Sequence, residues 1–364
     1  MDLDAYERAG LYDPTGPNAA DRRALLEWLE TQGTSIEQMQ RSATGSALSS
    51  AAGDALIRPG EPITLSALSE RVGLAEERIL EILRAAGASP AAGESQTFVE
   101  SDIETFVLFK AAAGIFSSEA VLEITRVMGN AMARIAEAAI TLFQVNIEAP
   151  LAESEAAELT LAEANLAGVR SLDLIPRAMN GLFRLHVETA IRRSRHAYNR
   201  ENPFGSRRYA VGFIDLVGFT PLAQQLGDRE LTDLIEEFER RANDIVTHFD
   251  GRVVKHIGDE VMFIAVGAAA ACHIALAAAE GFRGSGVEPH GGLAIGPLLT
   301  RGGDFYGPIV NLASRIADIA IPGEVLVTED VMLGAQEDSD LSFEAAGRRM
   351  LKGFADPVSL WTLS

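Results

Sequence analysis

Two aspartates, Asp215 and Asp259, give the strongest chemical signal in the sequence. Asp215 closes the apolar run that begins at Tyr209, and Asp259 follows Gly258 between two apolar, β-branched runs. The patterns predict a strand that ends at Asp215 and a hairpin with Asp259 at its tip. Two such carboxylates can converge on a phosphate-bound Mg²⁺ or Mn²⁺, which takes one or two protein carboxylates plus substrate oxygens. Gly-Asp pairs are also ordinary turn residues, so the interpretation depends on the neighbouring residues.

The neighbouring polar residues are of types that suit a nucleotide. Lysine occurs three times in 364 residues, yet Lys255 lies on the predicted hairpin, four residues before Asp259. Asp304 follows two glycines, and Asn311 and Arg315 stand four apart on a predicted helix, so they share one face. A side-chain amide beside a guanidinium can donate hydrogen bonds to the oxygens of a phosphoryl group during its transfer. The alternatives are a solvated strand lysine and a pair that merely caps or bonds on a helix surface.

Together these segments resemble the catalytic domain of the class III nucleotidyl cyclases, which make cyclic AMP or cyclic GMP. The resemblance covers about residues 205–364, in the family's order of motifs. The matching segments are FIDLVGFT (213–220), VKHIGDEVMF (254–263), GDFYGPIVNLASR (303–315), GEVLVTEDV (323–331) and LKGFADPVSLW (351–361). The resemblance implies an α+β catalytic domain, in which helices flank a ferredoxin-like or palm-type sheet, and a separate all-α domain before it.

The resemblance also implies a role for each candidate residue. It makes Asp215 and Asp259 the ligands of two divalent metal ions, which are Mg²⁺ or Mn²⁺. It makes Lys255 and Asp304 the pair that reads the base. Asn311 and Arg315 become the residues that stabilise the transition state. Family members form their sites at a head-to-tail dimer seam. One complete set of residues in one domain therefore implies a homodimer with two equivalent sites.

The choice of base follows from hydrogen-bond chemistry. Adenine offers an amino donor at N6 and an acceptor at N1, which complement a carboxylate at Asp304 and an ammonium at Lys255. Guanine presents the opposite pattern, so ATP is favoured over GTP. In this family the ribose 3′-oxygen attacks the α-phosphorus and pyrophosphate leaves, which requires positioning and charge rather than a covalent nucleophile.

One segment departs from the family pattern. The predicted strand His290 to Pro297 lacks the arginine that many relatives carry near its start. The sequence therefore does not identify which residues contact the triphosphate. Arg301 and Lys352 are the candidate substitutes. The Leu-Lys-Gly context of Lys352 is equally typical of a strand-to-turn junction.

Composition favours a two-domain protein, with a helical regulatory domain over 1–200 and the catalytic domain over 205–364. The chain is 47% hydrophobic and 23% charged, and its formal net charge of −21 argues against a polyanion-binding surface.

No signal sequence and no apolar run of membrane-spanning length occurs, so we expect a cytoplasmic protein that is not transmembrane. A single cysteine, Cys272, excludes a disulfide framework and is expected to be buried in a helix.

The first 200 residues carry no comparable chemistry. Residues 62–87 have a helix-turn-helix pattern, but acidic residues exceed basic ones there, which favours a packing module over a DNA reader. Residues 101–147 are long, apolar and helical, so we expect them to be buried nearly all round, either in a core, at a dimer interface or around an apolar ligand. A helix over 174–198 then leads through a loop at 202–205 into the catalytic domain.

Three interpretations of function are compatible with these patterns. The favoured one is an ATP cyclase controlled by its N-terminal domain. The second is a catalytically silent, cyclase-like sensor that binds nucleotide, and the third is a DNA-binding regulator that uses residues 62–87. The linker histidines His186 and His196, and His256 beside Lys255, are candidate pH triggers, although ordinary exposed histidines would look the same.

Overall fold

The structure is a computed structural model that describes residues 2–45, 48–57, 60–88, 98–154, 156–172, 174–196, 207–219, 222, 224–281 and 288–364. The chain divides into two compact units, Met1–Arg184 and Leu185–Ser364. The predicted linker loop at 202–205 lies outside the described ranges. The domain bounds of 1–200 and 205–364 therefore stay a prediction.

The N-terminal unit is mainly helical, as expected. Its elements are α1 (Leu3–Arg8), α2 (Ala19–Thr31), α3 (Ile36–Gly45), a 3-10 turn (Leu48–Ser50), α4 (Ala51–Ile57), β1 (Pro62–Ile63), α5 (Leu65–Val72), α6 (Glu76–Ala86), β2 (Phe98–Val99), α7 (Asp102–Ile115), α8 (Ser118–Phe143), a π-helical turn (Gln144–Glu148), α9 (Ala149–Glu153), α10 (Glu158–Ser171) and α11 (Leu174–His196). The pair β1–β2 is a short antiparallel exception to an all-α domain. Helix α11 continues past Arg184 into the second unit.

Two apolar clusters hold this unit together. One joins α2, α3, α4 and α10 around Leu25, Leu26 and Met39, and the other joins α5, α6 and α7. The predicted helix-turn-helix is α5 and α6, and Gly73 (φ 67°) provides the left-handed cap between them. Since Leu68, Val72, Ile79 and Ile82 are all buried in the second cluster, the helix pair packs as part of the unit's core.

The expectation that residues 101–147 are buried all round is wrong within a single chain. Large apolar side chains of α8 remain exposed, among them Ile124 (52%), Met128 (48%) and Leu142 (68%). The exposed residues Ile124, Met128, Met132 and Ile135 recur every three or four positions, so they follow one face of the helix. None of the described helices combines the length and the apolar content needed to cross a membrane.

The second unit is a mixed sheet flanked by helices, which confirms the predicted α+β fold. Its elements after α11 are β3 (Arg207–Val217), α12 (Asp228–His248), β4 (Arg252–Ile257), β5 (Glu260–Ala265), α13 (Ala268–Gly281), β6 (Glu288–Arg301), β7 (Asp304–Tyr306), α14 (Pro308–Ala317), β8 (Val325–Thr328), α15 (Glu329–Ala335), β9 (Phe343–Arg349) and β10 (Val358–Leu363). In the described ranges the sheet order is β4-β5-β3-β6-β8-β10-β9, with β7 paired to β6. The pairing of β6 with β8 is parallel and the others are antiparallel.

The two faces of the sheet pack against different helices. Along β3, Ala210, Ile214 and Leu216 join the cluster made with α12, α13 and α15, whereas Tyr209, Val211 and Phe213 join the cluster made with α14. This alternation is the two-residue period of a strand that is buried on both faces. Asp215 continues the second set, so its side chain lies on the α14 side of the sheet.

A glycine on β6 sets how closely α14 approaches. A Cβ added at Gly292 would lie 2.3 Å from the backbone nitrogen of Ala317 and 2.5 Å from the backbone oxygen of Ala313. Any larger residue would therefore push the helix away from the sheet. The glycines that replace the expected arginine in this segment thus have a packing role.

Candidate active site

Three polar side chains form a row across the sheet on its α14 side. Asp215 lies near the end of β3, directly opposite Glu260 of β5 and His290 of β6 in the strand registers. All three belong to the strand positions that alternate toward α14. Asp259 occupies the β4–β5 turn beside Glu260, as the hairpin pattern predicted. The two predicted metal ligands thus lie near one another, because Asp259 directly precedes the residue that is opposite Asp215.

His290 connects Asp215 to the helix. Its Nε2 lies 3.2 Å from Asp215 Oδ2, and its Nδ1 lies 3.0 Å from the carbonyl oxygen of Ala317, the last residue of α14. The ring is 8% exposed. The hydrogen bond with Asp215 raises the pKa of His290, and this outweighs the opposing effect of burial. The second oxygen of Asp215, Oδ1, accepts from the backbone nitrogen of Leu216 at 3.0 Å.

Burial of the carboxylates in this region and their mutual repulsion raise the pKa of Asp259 and of Glu260. Burial raises the pKa of Asp259, and the negative charge of Asp215 raises it further. Burial also raises the pKa of Glu260 to about 7, with further contributions from Asp215, Asp318 and Asp259. Clustered carboxylates of this kind favour either a proton or a cation between them.

The donor set fits a metal that is completed by a substrate. Within the described ranges there is no group of three or more His, Cys, Asp or Glu side chains that could hold an ion by itself. Asp215 and Asp259 supply hard carboxylate oxygens, the ligands that Mg²⁺ prefers, and Mg²⁺ commonly takes one or two carboxylates plus phosphate oxygens. Two carboxylates without a third protein ligand match that pattern.

Lys255 and Asp304 form an ion pair although they are 49 positions apart in the sequence. Lys255 Nζ lies 2.8 Å from Asp304 Oδ2, and both side chains are partly exposed. Burial raises the pKa of Asp304, but the hydrogen bonds from Lys255 and from the Phe305 backbone lower it more, so the net direction is downward. Asp304 is the first residue of the short strand β7 and directly follows Gly302 and Gly303.

Packing holds the strand that carries Asp304. The Phe305 ring meets Tyr209 of β3 edge to face at 5.5 Å, and the guanidinium of Arg252 lies over the same ring, 5.6 Å from its centre. Arg252 also donates to the carbonyl of Gly303 at 3.0 Å. These contacts fix β7 against β3 and β4, and so place Asp304 within reach of Lys255.

Asn311 and Arg315 lie one turn apart on α14, as predicted. The helix begins with Pro308 at its first turn, and Asn311 is exposed. Arg315 Nη1 bonds Asp318 Oδ2 at 2.6 Å, in a partly exposed ion pair. Exposed pairs of this kind contribute little to stability, typically below about 1 kcal/mol, so the guanidinium can exchange Asp318 for another anion.

The two candidate triphosphate residues lie on different elements. Arg301 ends β6 and is directly opposite Asp304 in the β6–β7 register. Lys352 is exposed in a turn, where Gly353 has a φ of 90°, so the strand-to-turn context of this lysine is present. Arg301 is therefore next to the Lys255–Asp304 pair, whereas Lys352 belongs to the segment before β10.

Sequence reasoning missed Glu260 and His290. Glu260 directly follows a predicted ligand, but its position in the row depends on the pairing of β3 with β5. His290 had a weak signal, a polar residue at the start of an otherwise apolar strand. Its partners, Asp215 and Ala317, are 75 and 27 positions away.

Comparisons with known proteins extend over both units. Residues 7–191 match a family model described as the adenylate cyclase regulatory domain. The chain is 30% identical to an uncharacterized protein of Mycobacterium tuberculosis over 100% of this chain and 94% of that one. It is 34% identical to an adenylate cyclase of Streptomyces coelicolor over 65% of this chain and 62% of that one. It is 29% identical to a pH-sensitive adenylate cyclase of Mycobacterium tuberculosis over 96% and 90% of the two chains.

Proposed function

Because the chain belongs to the class III adenylate cyclases, we propose that it converts ATP to 3′,5′-cyclic AMP and pyrophosphate at sites shared by two copies of the chain. The observation that carries this proposal is the Lys255–Asp304 pair at 2.8 Å. The fold brings a donor and an acceptor together from distant segments, in a domain that also presents Asp215 and Asp259. A pair of opposite polarity is the recognition element that adenine requires.

In the proposed reaction Asp215 and Asp259 would hold two divalent ions, Mg²⁺ or Mn²⁺, together with the substrate. When bound, such ions would act as Lewis acids that activate the ribose 3′-hydroxyl and offset charge on the leaving pyrophosphate. The raised pKa of Asp259, caused by burial and then by Asp215, supports this role because a cation relieves both effects. Glu260, whose pKa burial raises to about 7, would be fully ionised near neutral pH only beside a cation, so a bound ion would add the charge of Glu260 to the site.

The Lys255–Asp304 pair reads the base. Lys255 donates to N1 of adenine and Asp304 accepts from the N6 amino group, so the purine takes the place of the direct ion pair. The partial exposure of both side chains supports this exchange, since neither is sealed in the core. Guanine would meet a donor with its N1–H and an acceptor with its O6, which disfavours GTP.

Asn311 and Arg315 act on the α-phosphate. Arg315 leaves Asp318 and donates to the oxygens on which charge develops, and Asn311 donates beside it. The exposed position of the Arg315–Asp318 pair supports this rearrangement. Arg301 and Lys352 are the proposed contacts for the β- and γ-phosphates, and Arg301 has the stronger support because it neighbours Asp304.

We further propose a head-to-tail homodimer in which one copy supplies the metal aspartates and its partner supplies the base-reading and transition-state residues. The exposed apolar face of α8 supports association with a second copy, because Ile124, Met128, Met132 and Ile135 form a regular stripe. A second copy explains this stripe better than an apolar ligand does, since it runs along one side of a long helix. A C2 dimer would contain two equivalent sites.

Control of the enzyme by its N-terminal half is also part of the proposal. The match to a regulatory domain over residues 7–191 supports it. Within the second unit, the end of α11 contacts the catalytic core, because Arg192 Nη2 bonds Asp250 Oδ1 at 2.8 Å and Arg193 donates to the carbonyl of Gly251. Movement of α11 would therefore act directly on the loop before β4, the strand that carries Lys255.

The pH is the proposed signal, as in the relative named pH-sensitive. His186 of α11 lines a cavity of about 480 Å³ together with Arg193, Arg207 and Arg252. A positive charge on this imidazole would lie beside three guanidinium groups, and the repulsion would weaken the docking of α11. Burial lowers the pKa of Arg193 against the opposing effect of Asp250, and nearby Arg252 and Arg192 lower it further.

The direct test incubates the full-length chain with ATP or GTP and with Mg²⁺ or Mn²⁺, and separates the products by chromatography. We expect cyclic AMP and pyrophosphate from ATP, and much less cyclic GMP from GTP. The variant D215N is the control for a contaminating cyclase. Nucleotide binding without a cyclic product under any metal would support the silent sensor instead.

A further inference from the structure

His290 is the one member of the polar row that touches both the proposed metal site and α14. It is 8% exposed, and each ring nitrogen has a partner. A carbonyl oxygen can only accept a hydrogen bond, so Nδ1 donates to Ala317. An ionised carboxylate likewise only accepts, so Nε2 donates to Asp215 Oδ2 at 3.2 Å. The imidazole therefore bridges a carboxylate and the end of a helix, two groups on different elements.

The bridge is sterically tight on its helix side. Gly292, two residues beyond His290 on the same face of β6, allows the backbone of α14 to approach the strand closely. Ala317 is 1% exposed and Ala313 is fully buried. The last turn of α14 is thus held against β6, and the carbonyl that receives the His290 bond has a fixed position.

On the carboxylate side, the bond restricts the rotation of Asp215. Oδ1 is held by the Leu216 backbone at 3.0 Å and Oδ2 faces His290, so the plane of the carboxylate is defined at both oxygens. Each carboxylate oxygen keeps a further lone pair for another partner. Groups that orient a metal ligand in this way typically change metal affinity by about 10- to 100-fold when they are removed.

We propose that His290 is a positioning residue of the cyclase site: it orients the Asp215 carboxylate for metal binding and ties that carboxylate to α14, the helix whose Asn311 and Arg315 serve the other site of the proposed dimer. The inference rests on the proposed function. It gives His290 a role other than binding triphosphate, since both ring nitrogens are engaged within the chain and the ring is almost fully buried. It also explains why a histidine, which has two nitrogens on opposite sides of a flat ring, suits this position.

Two isosteric substitutions separate the two bonds. The amide nitrogen of glutamine can occupy the place of Nε2, so H290Q keeps the contact with Asp215 and loses the one with Ala317. The amide nitrogen of asparagine can occupy the place of Nδ1, so H290N keeps the contact with Ala317 and loses the one with Asp215. The control is the same pair of changes at His273, whose Nε2 contacts Asp338 at 2.9 Å on another part of the unit.

The experiment measures Mn²⁺ binding to the full-length chain by electron paramagnetic resonance, with a non-cyclising ATP analogue present. It also measures the Mn²⁺ concentration for half-maximal cyclic AMP formation at saturating ATP. We expect about a 10-fold or greater loss of Mn²⁺ affinity in H290N, less than about a 3-fold loss in H290Q, and no change in H273N or H273Q. Equal losses in H290Q and H290N would reduce His290 to a packing residue, and unchanged affinity in both would overturn the proposal.

A second measurement keeps the proposal testable if the variants do not fold. In the unaltered chain with ¹⁵N-labelled histidine, the His290 signals should show a proton on both Nδ1 and Nε2, and Mg²⁺ with the analogue should shift the Nε2 signal. A ring nitrogen without a proton, or an Nε2 chemical shift that does not change when the metal is added, contradicts the inference. If Mn²⁺ binding depends on His290 while no cyclic product forms, the proposed function fails and the positioning role stands.

Discussion

Replacing Gly292 with alanine tests how the sheet positions the transition-state residues. The added Cβ would lie 2.3 Å from the Ala317 backbone nitrogen and 2.5 Å from the Ala313 backbone oxygen, where contacts under 3.0 Å are essentially never seen. Helix backbone cannot rotate aside as a side chain can. To restore a contact of 3.4 Å, α14 must therefore retreat from β6 by about 1 Å.

The retreat has two measurable consequences. Overpacking of this kind costs about 1 to 3 kcal/mol of stability, so the melting temperature should fall by several degrees. A displacement of about 1 Å of the groups that act on the phosphate can reduce the rate about 100-fold, because Asn311 and Arg315 move with the helix. The assays are calorimetry and initial rates of cyclic AMP formation at saturating ATP and Mn²⁺.

The matched control is G267A, because a Cβ at Gly267 meets nothing within 4 Å and the residue does not have a positive φ. It should keep the wild-type rate and melting temperature. A G292A variant that retains more than half of the wild-type rate with an unchanged melting temperature would show that this contact does not position α14.

Three further predictions concern specificity, accessibility and control. The double variant K255E/D304S should lose its preference for ATP and gain some GTP turnover, and an unchanged ATP-to-GTP ratio would remove this pair from base reading. Burial raises the pKa of Cys272 to about 12, so at pH 8 its thiolate fraction is about 2,000-fold below that of an exposed thiol. A thiol reagent should therefore label Cys272 only after unfolding or at high pH, and rapid stoichiometric labelling of the native chain would contradict this burial. Residues 205–364 alone should differ substantially in rate from the full chain and show a flatter pH profile, and identical rates at every pH would refute control by the N-terminal half.

Local patterns predicted those parts of the catalytic unit that depend on neighbouring residues. The hairpin with Asp259 at its tip and the shared face of Asn311 and Arg315 follow from periods of two or about four residues, and so does the strand of Asp215, although it continues to Val217 instead of ending at Asp215 as predicted. The buried state of Cys272 followed from its apolar helix in the same way. These features need no information on which strand lies beside which.

Features that depend on strand order could not be predicted in that way. The row of Glu260, Asp215 and His290 exists because β3 lies between β5 and β6, and no local pattern contains that order. The apolar stretch that includes α8 shows a second limit. Apolar periodicity predicts that a face is covered, but the same pattern serves a core of the same chain and a contact with another chain, and Ile124 and Met128 are exposed in the single chain.

The shared site is tested most directly by a heterodimer of two inactive variants, D215A and N311A, co-expressed with different tags and purified through both. Each homodimer should be nearly inactive, because both of its sites lack the same group. In the heterodimer one site receives both intact halves and the other lacks both groups, so we predict about half of the wild-type rate of cyclic AMP formation. A pure heterodimer no more active than the two homodimers would contradict a site that is built from two copies of the chain.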